Sequence, residues 1–166
     1  MTTDEITVAI AGLKEHHLAE LRLSGLSDET IARAGIYTES DLSAILADLN
    51  RKSIKKSVGS ALTFPFQNVS GQLNGYRRLK FDQPRKDRNG KSIKYESPLG
   101  QPNRVYVPPG TVEILGEPKS ELIITEGEKK SLALSQLKVA AIGLGGVWCW
   151  KKKGTDELIA DLAAIE

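Results

Sequence analysis

Glu126 and Glu128 stand at the end of an apolar run, Leu122-Ile123-Ile124-Thr125, and Lys129 and Lys130 follow at once. Downstream, Val139-Ala140-Ala141-Ile142 runs into Gly143-Leu144-Gly145-Gly146. The pattern predicts a buried strand over 121–125 ending on a carboxylate, a helix over 127–137 and a second buried strand over 139–142. An acid at the carboxyl end of a parallel strand sits where open α/β sheets place their chemistry. Carboxylates there can hold Mg²⁺ or Mn²⁺, with waters completing the shell. The competing reading makes both acids ordinary first-turn residues, stabilised by the helix dipole. Lys129 and Lys130 sit where that dipole disfavours cations, so a nearby anion would rationalise them. A solvated helix face is the other reading.

The glycines at 143, 145 and 146 permit close backbone approach or positive φ. They form neither a Walker loop nor Gly-x-Gly-x-x-Gly. Trp148 and Trp150 straddle Cys149 and read as packing residues or as stacking platforms for bases. Lys151-Lys152-Lys153 reads as phosphate-contacting or solvated. His16 and His17 are adjacent on an expected helix and so should point apart. With no cysteine or carboxylate constellation beside them, no zinc site is expected there. No nucleophile–base arrangement is legible.

The net charge of +2 conceals an asymmetry. Residues 51–110 carry 13 Lys/Arg against 3 acids, and the remainder carries 10 against 18. A basic middle between acidic ends points to a polyanion partner, against the plainer reading of a solvated basic loop region. Cys149 is the single cysteine among 166 residues, so an intrachain disulfide and a cysteine-rich zinc ribbon are both excluded. The acidic N-terminus does not read as a secretory signal, and no apolar run reaches membrane-spanning length. The expected location is cytoplasmic, with no membrane partner.

Three segments must position these residues. Residues 1–59 read as a helical lead-in. Gly25 ends a first helix, Ser27 caps a second that Gly35 closes, and Thr38 opens a third as Thr-Glu-Ser-Asp. Leu42, Ile45, Leu46 and Leu49 then give an amphipathic stripe. Residues 60–110 read as a basic, antiparallel β region. A strand at 61–66, demoted to edge or bulged by Pro65, turns at 68–71 into a strand over 72–81. A charged loop follows over 82–92, and a short strand at 105–107 stops at Pro108-Pro109. Residues 111–166 read as a βαβα unit. Glu117-Pro118-Lys119 precedes its first strand, and Thr155 caps a last helix bearing Leu158, Leu162 and Ile165. Such a half-unit leaves a sheet edge uncovered. The fold class is therefore α+β, with an incomplete α/β unit at its end.

The Glu-Gly-Glu-Lys-Lys strand end with the Gly-Leu-Gly-Gly strand end resembles the first half of a Toprim domain, shared by bacterial-type primases, topoisomerases and some nucleases. Phe64-Pro65-Phe66, Gly71, Gly75-Tyr76-Arg77-Arg78 and Lys94-Tyr95-Glu96-Ser97-Pro98 are similar to the segment ahead of Toprim in those primases. Leu23-Ser24-Gly25-Leu26-Ser27-Asp28-Glu29-Thr30-Ile31 resembles their helical lead-in. The resemblance spans roughly residues 18–150 and is nearest to plasmid and phage replication proteins with an adjoining helicase. It implies that Glu126 is catalytic and metal-linked, with Mg²⁺ or Mn²⁺ as cofactor. It implies that Arg77, Arg78, Lys80, Lys94, Lys129 and Lys130 meet nucleic-acid or nucleotide phosphates. The implied partners are single-stranded DNA, nucleotides and a helicase domain or subunit. The family's later Asp-x-Asp strand end would lie beyond Glu166, so the chain reads as an N-terminal fragment, inactive alone, of a DNA primase-like nucleotidyltransferase. A Toprim nuclease and a non-catalytic single-strand-binding or helicase-loading module are the alternatives.

Overall fold

Thr2 caps the first helix, α1 (Thr3–Ile10), with its hydroxyl accepting from the Glu5 N–H while the Glu5 carboxylate accepts from the Thr2 N–H at 2.7 Å. This computed structural model describes residues 1–115 and 121–165. Helix α2 (Glu15–Leu23) ends before Gly25, whose φ of 82° suits a residue without Cβ. Ser27 caps α3 (Asp28–Arg33), as its position ahead of Asp28 and Glu29 predicts.

Thr38 does not open a helix. It lies in a strand, β1 (Tyr37–Glu39), and the cap of α4 (Leu42–Asp48) is Asp41, which accepts from the Ser43 N–H at 2.9 Å. The Thr38 hydroxyl instead accepts from the Lys14 N–H at 2.9 Å and meets His17 Nδ1 at 2.7 Å. Tertiary partners have outbid a local capping box. After a 3₁₀ turn at Lys56–Val58, β2 (Ala61–Gln67) and β3 (Leu73–Phe81) form an antiparallel hairpin, with β1 on the far side of β2. The edge expected for Pro65 is thus corrected in part: β2 is the central strand. Pro65 is tolerated because β1 pairs only with residues 61–63, and the register slips between Pro65 and Gln67.

The segment 82–92 is more ordered than a loop. Strands β4 (Arg85–Lys86) and β5 (Ser92–Ile93) pair, and the Asp87 carboxylate between them accepts from the N–H groups of Asn89 and Lys91 at 2.8 and 2.9 Å. Residues 105–107 are buried, yet instead of a strand they form a single bridge, Tyr106 to Gly143. Pro108-Pro109 stops this stretch and also starts α5 (Pro109–Leu115), since proline suits a first helical turn. Glu117-Pro118-Lys119 lies outside the described residues.

The α/β unit comprises β6 (Ile123–Glu126), α6 (Glu128–Ser135) and β7 (Ala141–Leu144), with β6 and β7 parallel. β7 is buried throughout. β6 is not: Ile123 and Ile124 point to opposite faces and are 41% and 54% exposed. Neither face of β6 is fully covered, which corrects the expectation of a buried strand. The last helix, α7 (Ala160–Ala163), starts after Ile159, not at Thr155. Residues 151–158 instead close a small loop, bridged between Lys151 and Leu158 and held by the Lys152 N–H donating to the Glu157 carbonyl at 2.8 Å.

One core cluster joins Leu21 and Ile31 of the lead-in, Phe64 and Tyr76 of the hairpin, and Leu132 of α6. A second packs Ile45 and Leu49 on Leu79 and Phe81, and a third surrounds Ile142 and Leu144. The architecture is mixed α+β with one parallel pair. No described helix is long and apolar enough to cross a membrane.

Candidate active site

The carboxyl ends of β6 and β7 meet at Glu126 and Leu144, which lie side by side in register. Gly127 follows with φ 90°, a conformation L side chains rarely adopt, and its N–H donates to the Leu144 carbonyl at 2.7 Å. This turn delivers the chain into α6 without a side-chain cap. On the neighbouring strand, a Cβ at Gly143 would lie 2.8 Å from the Gly127 carbonyl oxygen and 3.0 Å from Ser131 Oγ. Glycine there lets β7 approach the start of α6.

The two strand-end acids have different fates. Glu126 is exposed at the mouth of the parallel pair. Glu128 is buried, with 2% of its side chain exposed, and its Oε1 accepts from Arg78 Nη1 at 2.9 Å. Arg78 comes from β3, donates its other terminal nitrogen to the Gly145 carbonyl at 2.8 Å, and stacks 4.9 Å from the centre of the Tyr95 ring. The guanidinium therefore pins the basic hairpin onto the strand end. Burial drives the Tyr95 hydroxyl pKa far upward, and the charges of Glu128 and Glu20 add to it. Burial also raises the Cys149 thiol, with Arg78 opposing and Glu126 reinforcing the rise. The lone cysteine thus senses the field of the strand-end groups.

The other anticipated phosphate contacts divide sharply. Lys80 and Lys129 both donate to Glu20 of α2, Lys129 at 2.7 Å. Arg77 Nη1 lies 3.0 Å from Asp48 Oδ1. Lys94 and Lys130 are exposed and have no ion pair among the described residues. The division extends over residues 51–110. Arg51, Arg77, Arg78, Lys80, Arg85 and Arg104 are all ion-paired. Lys52, Lys55, Lys56, Lys86, Arg88, Lys91 and Lys94 are all exposed and have no ion pair among the described residues. Buried Glu96 takes two of the paired arginines: Arg85 forks onto both its oxygens at 2.6 Å, and Arg51 approaches at 3.2 Å. A groove of about 800 Å³ lies between these groups and Lys55 and Lys86, with no lining residue from β6, α6 or β7.

Glu20, Asp48 and Glu96 carry the electrostatic organisation; in the sequence Glu96 stands out only as part of the Lys94–Pro98 motif, and Glu20 and Asp48 do not stand out at all. Nothing local signals them, since Glu20 lies 60 residues from Lys80 and 109 from Lys129.

As a metal site, the strand end offers one free carboxylate. Glu126 is an exposed hard-oxygen donor, while Arg78 occupies Glu128. No group of three possible ligands among the described residues includes Glu126. That donor set fits a Mg²⁺ ion held by one carboxylate, with water and substrate phosphate completing its shell.

The fold is similar to that of the Aquifex aeolicus primase, in a structure of its zinc-binding and RNA polymerase domains: TM-score 0.57, 13% identity, 88% of this chain and 43% of that one. It is also similar to the RNA polymerase domain of Mycobacterium tuberculosis primase DnaG, solved with a double-stranded DNA oligomer carrying a 6-nucleotide overhang. There the TM-score is 0.53 at 13% identity, covering 99% of this chain and 59% of that one. The chain thus spans less than two thirds of either structure, and at this identity the likeness is one of fold. A family described as a domain of unknown function, DUF3854, matches residues 113–165. No curated protein matches the chain.

Proposed function

We propose that this chain is the template-binding and first Toprim part of a DNA primase-like replication protein. The carrying observation is Glu126, exposed at the carboxyl end of a parallel strand within a fold like that of primase RNA polymerase domains. The proposal keeps three segments: the lead-in 1–59, the basic region 60–110 and the Toprim-like unit 111–166. Single-stranded DNA and nucleotides are the partners, and a helicase domain or subunit of a plasmid or phage replication system is the associated machinery.

Glu126 would hold Mg²⁺ or Mn²⁺, which when bound stabilises charge developing on a transferring phosphoryl group. Lys94 and Lys130, exposed and unpaired among the described residues, meet phosphate directly. Arg77, Arg78, Lys80 and Lys129 are held by carboxylates. They reach phosphate only by exchanging Asp48, Glu128 or Glu20 for it. Arg78 is the least free to do so, since its side chain is 13% exposed.

The test is primer synthesis on single-stranded DNA with Mg²⁺, using a longer chain that adds further acidic strand ends beside this one. Glu126→Gln keeps the shape and removes the charge. Synthesis should fall about 100-fold or more while DNA binding persists. Synthesis at the unmodified rate would remove Glu126 from the chemistry.

A second reading, a non-catalytic single-strand-binding module, is favoured by the engagement of Glu128 with Arg78, which leaves one carboxylate at the strand end. It predicts DNA binding that does not change when Mg²⁺ is removed, and no synthesis by any longer form.

A further inference from the structure

His16 and His17, at the start of α2, do not point apart. Both Nε2 atoms converge on Asp82 Oδ1, at 2.8 and 2.9 Å, and the rings, tilted at 46° to each other, have centroids 4.2 Å apart. Asp82 follows the last residue of β3 and lies 66 residues from His16. The sequence could not show this carboxylate beside the histidines, and its presence removes the ground on which no zinc site was expected there. The ligand atoms of the three residues lie within 4.8 Å of one another.

We propose that His16, His17 and Asp82 form a binding site for a first-row divalent metal ion, Zn²⁺ being the best fit, clamping α2 to the end of β3. Two imidazole nitrogens and one carboxylate oxygen are a donor set such ions favour, and a water completes a tetrahedron. With metal–ligand bonds of about 2.0–2.2 Å, the ligand atoms must stand about 3.3 Å apart. The two nitrogen–Oδ1 separations, 2.8 and 2.9 Å, are a few tenths of an ångström short of that. His16, with 57% of its side chain exposed, has room to move, and its open side gives the fourth position access to solvent.

The outer shell is already built. The carboxylate's second oxygen, Oδ2, accepts from the Ser60 N–H at 3.0 Å and the Ser60 hydroxyl at 2.5 Å. Lys14 Nζ supports that hydroxyl at 3.0 Å. His17 is fixed through Nδ1 by Thr38 Oγ1 at 2.7 Å. When Nδ1 carries the proton and donates it to Thr38, the Nε2 lone pair is free for a metal. Such outer-shell hydrogen bonds set the tautomer and aim of metal-binding histidines. The simpler alternative is a hydrogen-bonded clamp with no metal.

The experiment is Zn²⁺ titration by calorimetry on tag-free, chelator-stripped protein, with Co²⁺ absorption as the report on coordination. One equivalent should bind, with a Co²⁺ visible spectrum typical of four-coordinate nitrogen and oxygen ligation. His16→Ala alters an exposed side chain and should fold normally. It should weaken binding at least about tenfold and abolish any Zn²⁺-induced rise in Tm. Failure to bind Zn²⁺, or equal binding by His16→Ala, would leave only the hydrogen-bonded clamp. Neither outcome bears on Glu126, so this inference and the primase reading fail separately.

Discussion

Arg78 Nη1 lies 2.9 Å from Glu128 Oε1, a buried ion pair that, beside the Arg78 bond to the Gly145 carbonyl and the shared core, ties the antiparallel hairpin to the α/β unit. It spans 50 residues of sequence and is nearly closed to water. Glu126, two residues earlier, is exposed instead.

That contrast separates stability from chemistry. Glu128→Ala leaves the Arg78 guanidinium buried without its counter-charge, an omission that costs about 3–5 kcal/mol. Glu126→Gln, on the surface, should change stability by less than about 0.5 kcal/mol. Thermal or urea denaturation of the two variants checks the order. Equal stabilities would mean that the pair does not hold the hairpin in place.

Acid should release the Lys80–Glu20–Lys129 junction. Burial raises the Glu20 pKa, but hydrogen bonds from Lys129 and Lys80 outweigh it and leave the carboxyl below its ordinary value of 4.5. A carboxylate depressed by folding stabilises the native state above its unfolded pKa, and that contribution is lost as pH falls through the folded value. Glu20→Gln should therefore lower Tm at pH 7 by a few degrees, about 1 kcal/mol. The deficit should shrink as pH falls below 4.5 and vanish once the carboxyl is protonated in the folded protein. A deficit unchanged at low pH would show that lost packing, not charge, is responsible.

Seven exposed cations, unpaired among the described residues, set a ceiling on polyanion binding by residues 51–110. For single-stranded DNA each neutralised phosphate adds about −0.7 to the slope of log K against log salt, so the slope should not exceed about −5 in magnitude. Lys91→Ala with Lys94→Ala should flatten it by about 1.4 and weaken binding alike on all sequences. Anisotropy titrations across salt concentrations measure this. A steeper slope would mean that cations beyond these seven, either Lys130 or the carboxylate-paired residues, also neutralise phosphate.

Cys149 can report on the strand end. Burial raises its thiol pKa, and the Glu126 charge adds to the rise. Glu126→Gln should lower that pKa and speed alkylation by iodoacetamide at pH 8, since a larger thiolate fraction reacts faster. An unchanged rate would place Glu126 too far from Cys149 for its charge to matter.

The parallel strand pair was legible because its apolar runs and glycines are local signals, as were the cap at Ser27 and the turn at Gly25. Thr38 was misread because a capping box and an edge strand share residue types, and the choice lies with distant partners in α2 and β2. Ile123 and Ile124 read as buried because hydrophobicity reports what a strand would bury, not what covers it. The candidate site was half legible. Glu126 announces itself by position, but whether each basic residue is free or paired depends on Glu20, Asp48 and Glu96, brought in by the fold. The same limit hid Asp82 from His16 and His17.

The contact between β7 and the start of α6 also bears on how chains of this kind can diverge. At Gly143 a methyl group would have to sit 2.8 Å from the Gly127 carbonyl oxygen, an atom fixed by the backbone itself. At Gly145 the same methyl would meet the Arg78 guanidinium at 3.1 Å, a side-chain group that has to shift by a few tenths of an ångström from its place on Glu128. Relatives keeping this fold should therefore hold glycine at the first position without exception and admit alanine at the second, most readily where the arginine partner has also changed. Position 143 then marks descent more faithfully than the charged residues, which can be exchanged in pairs.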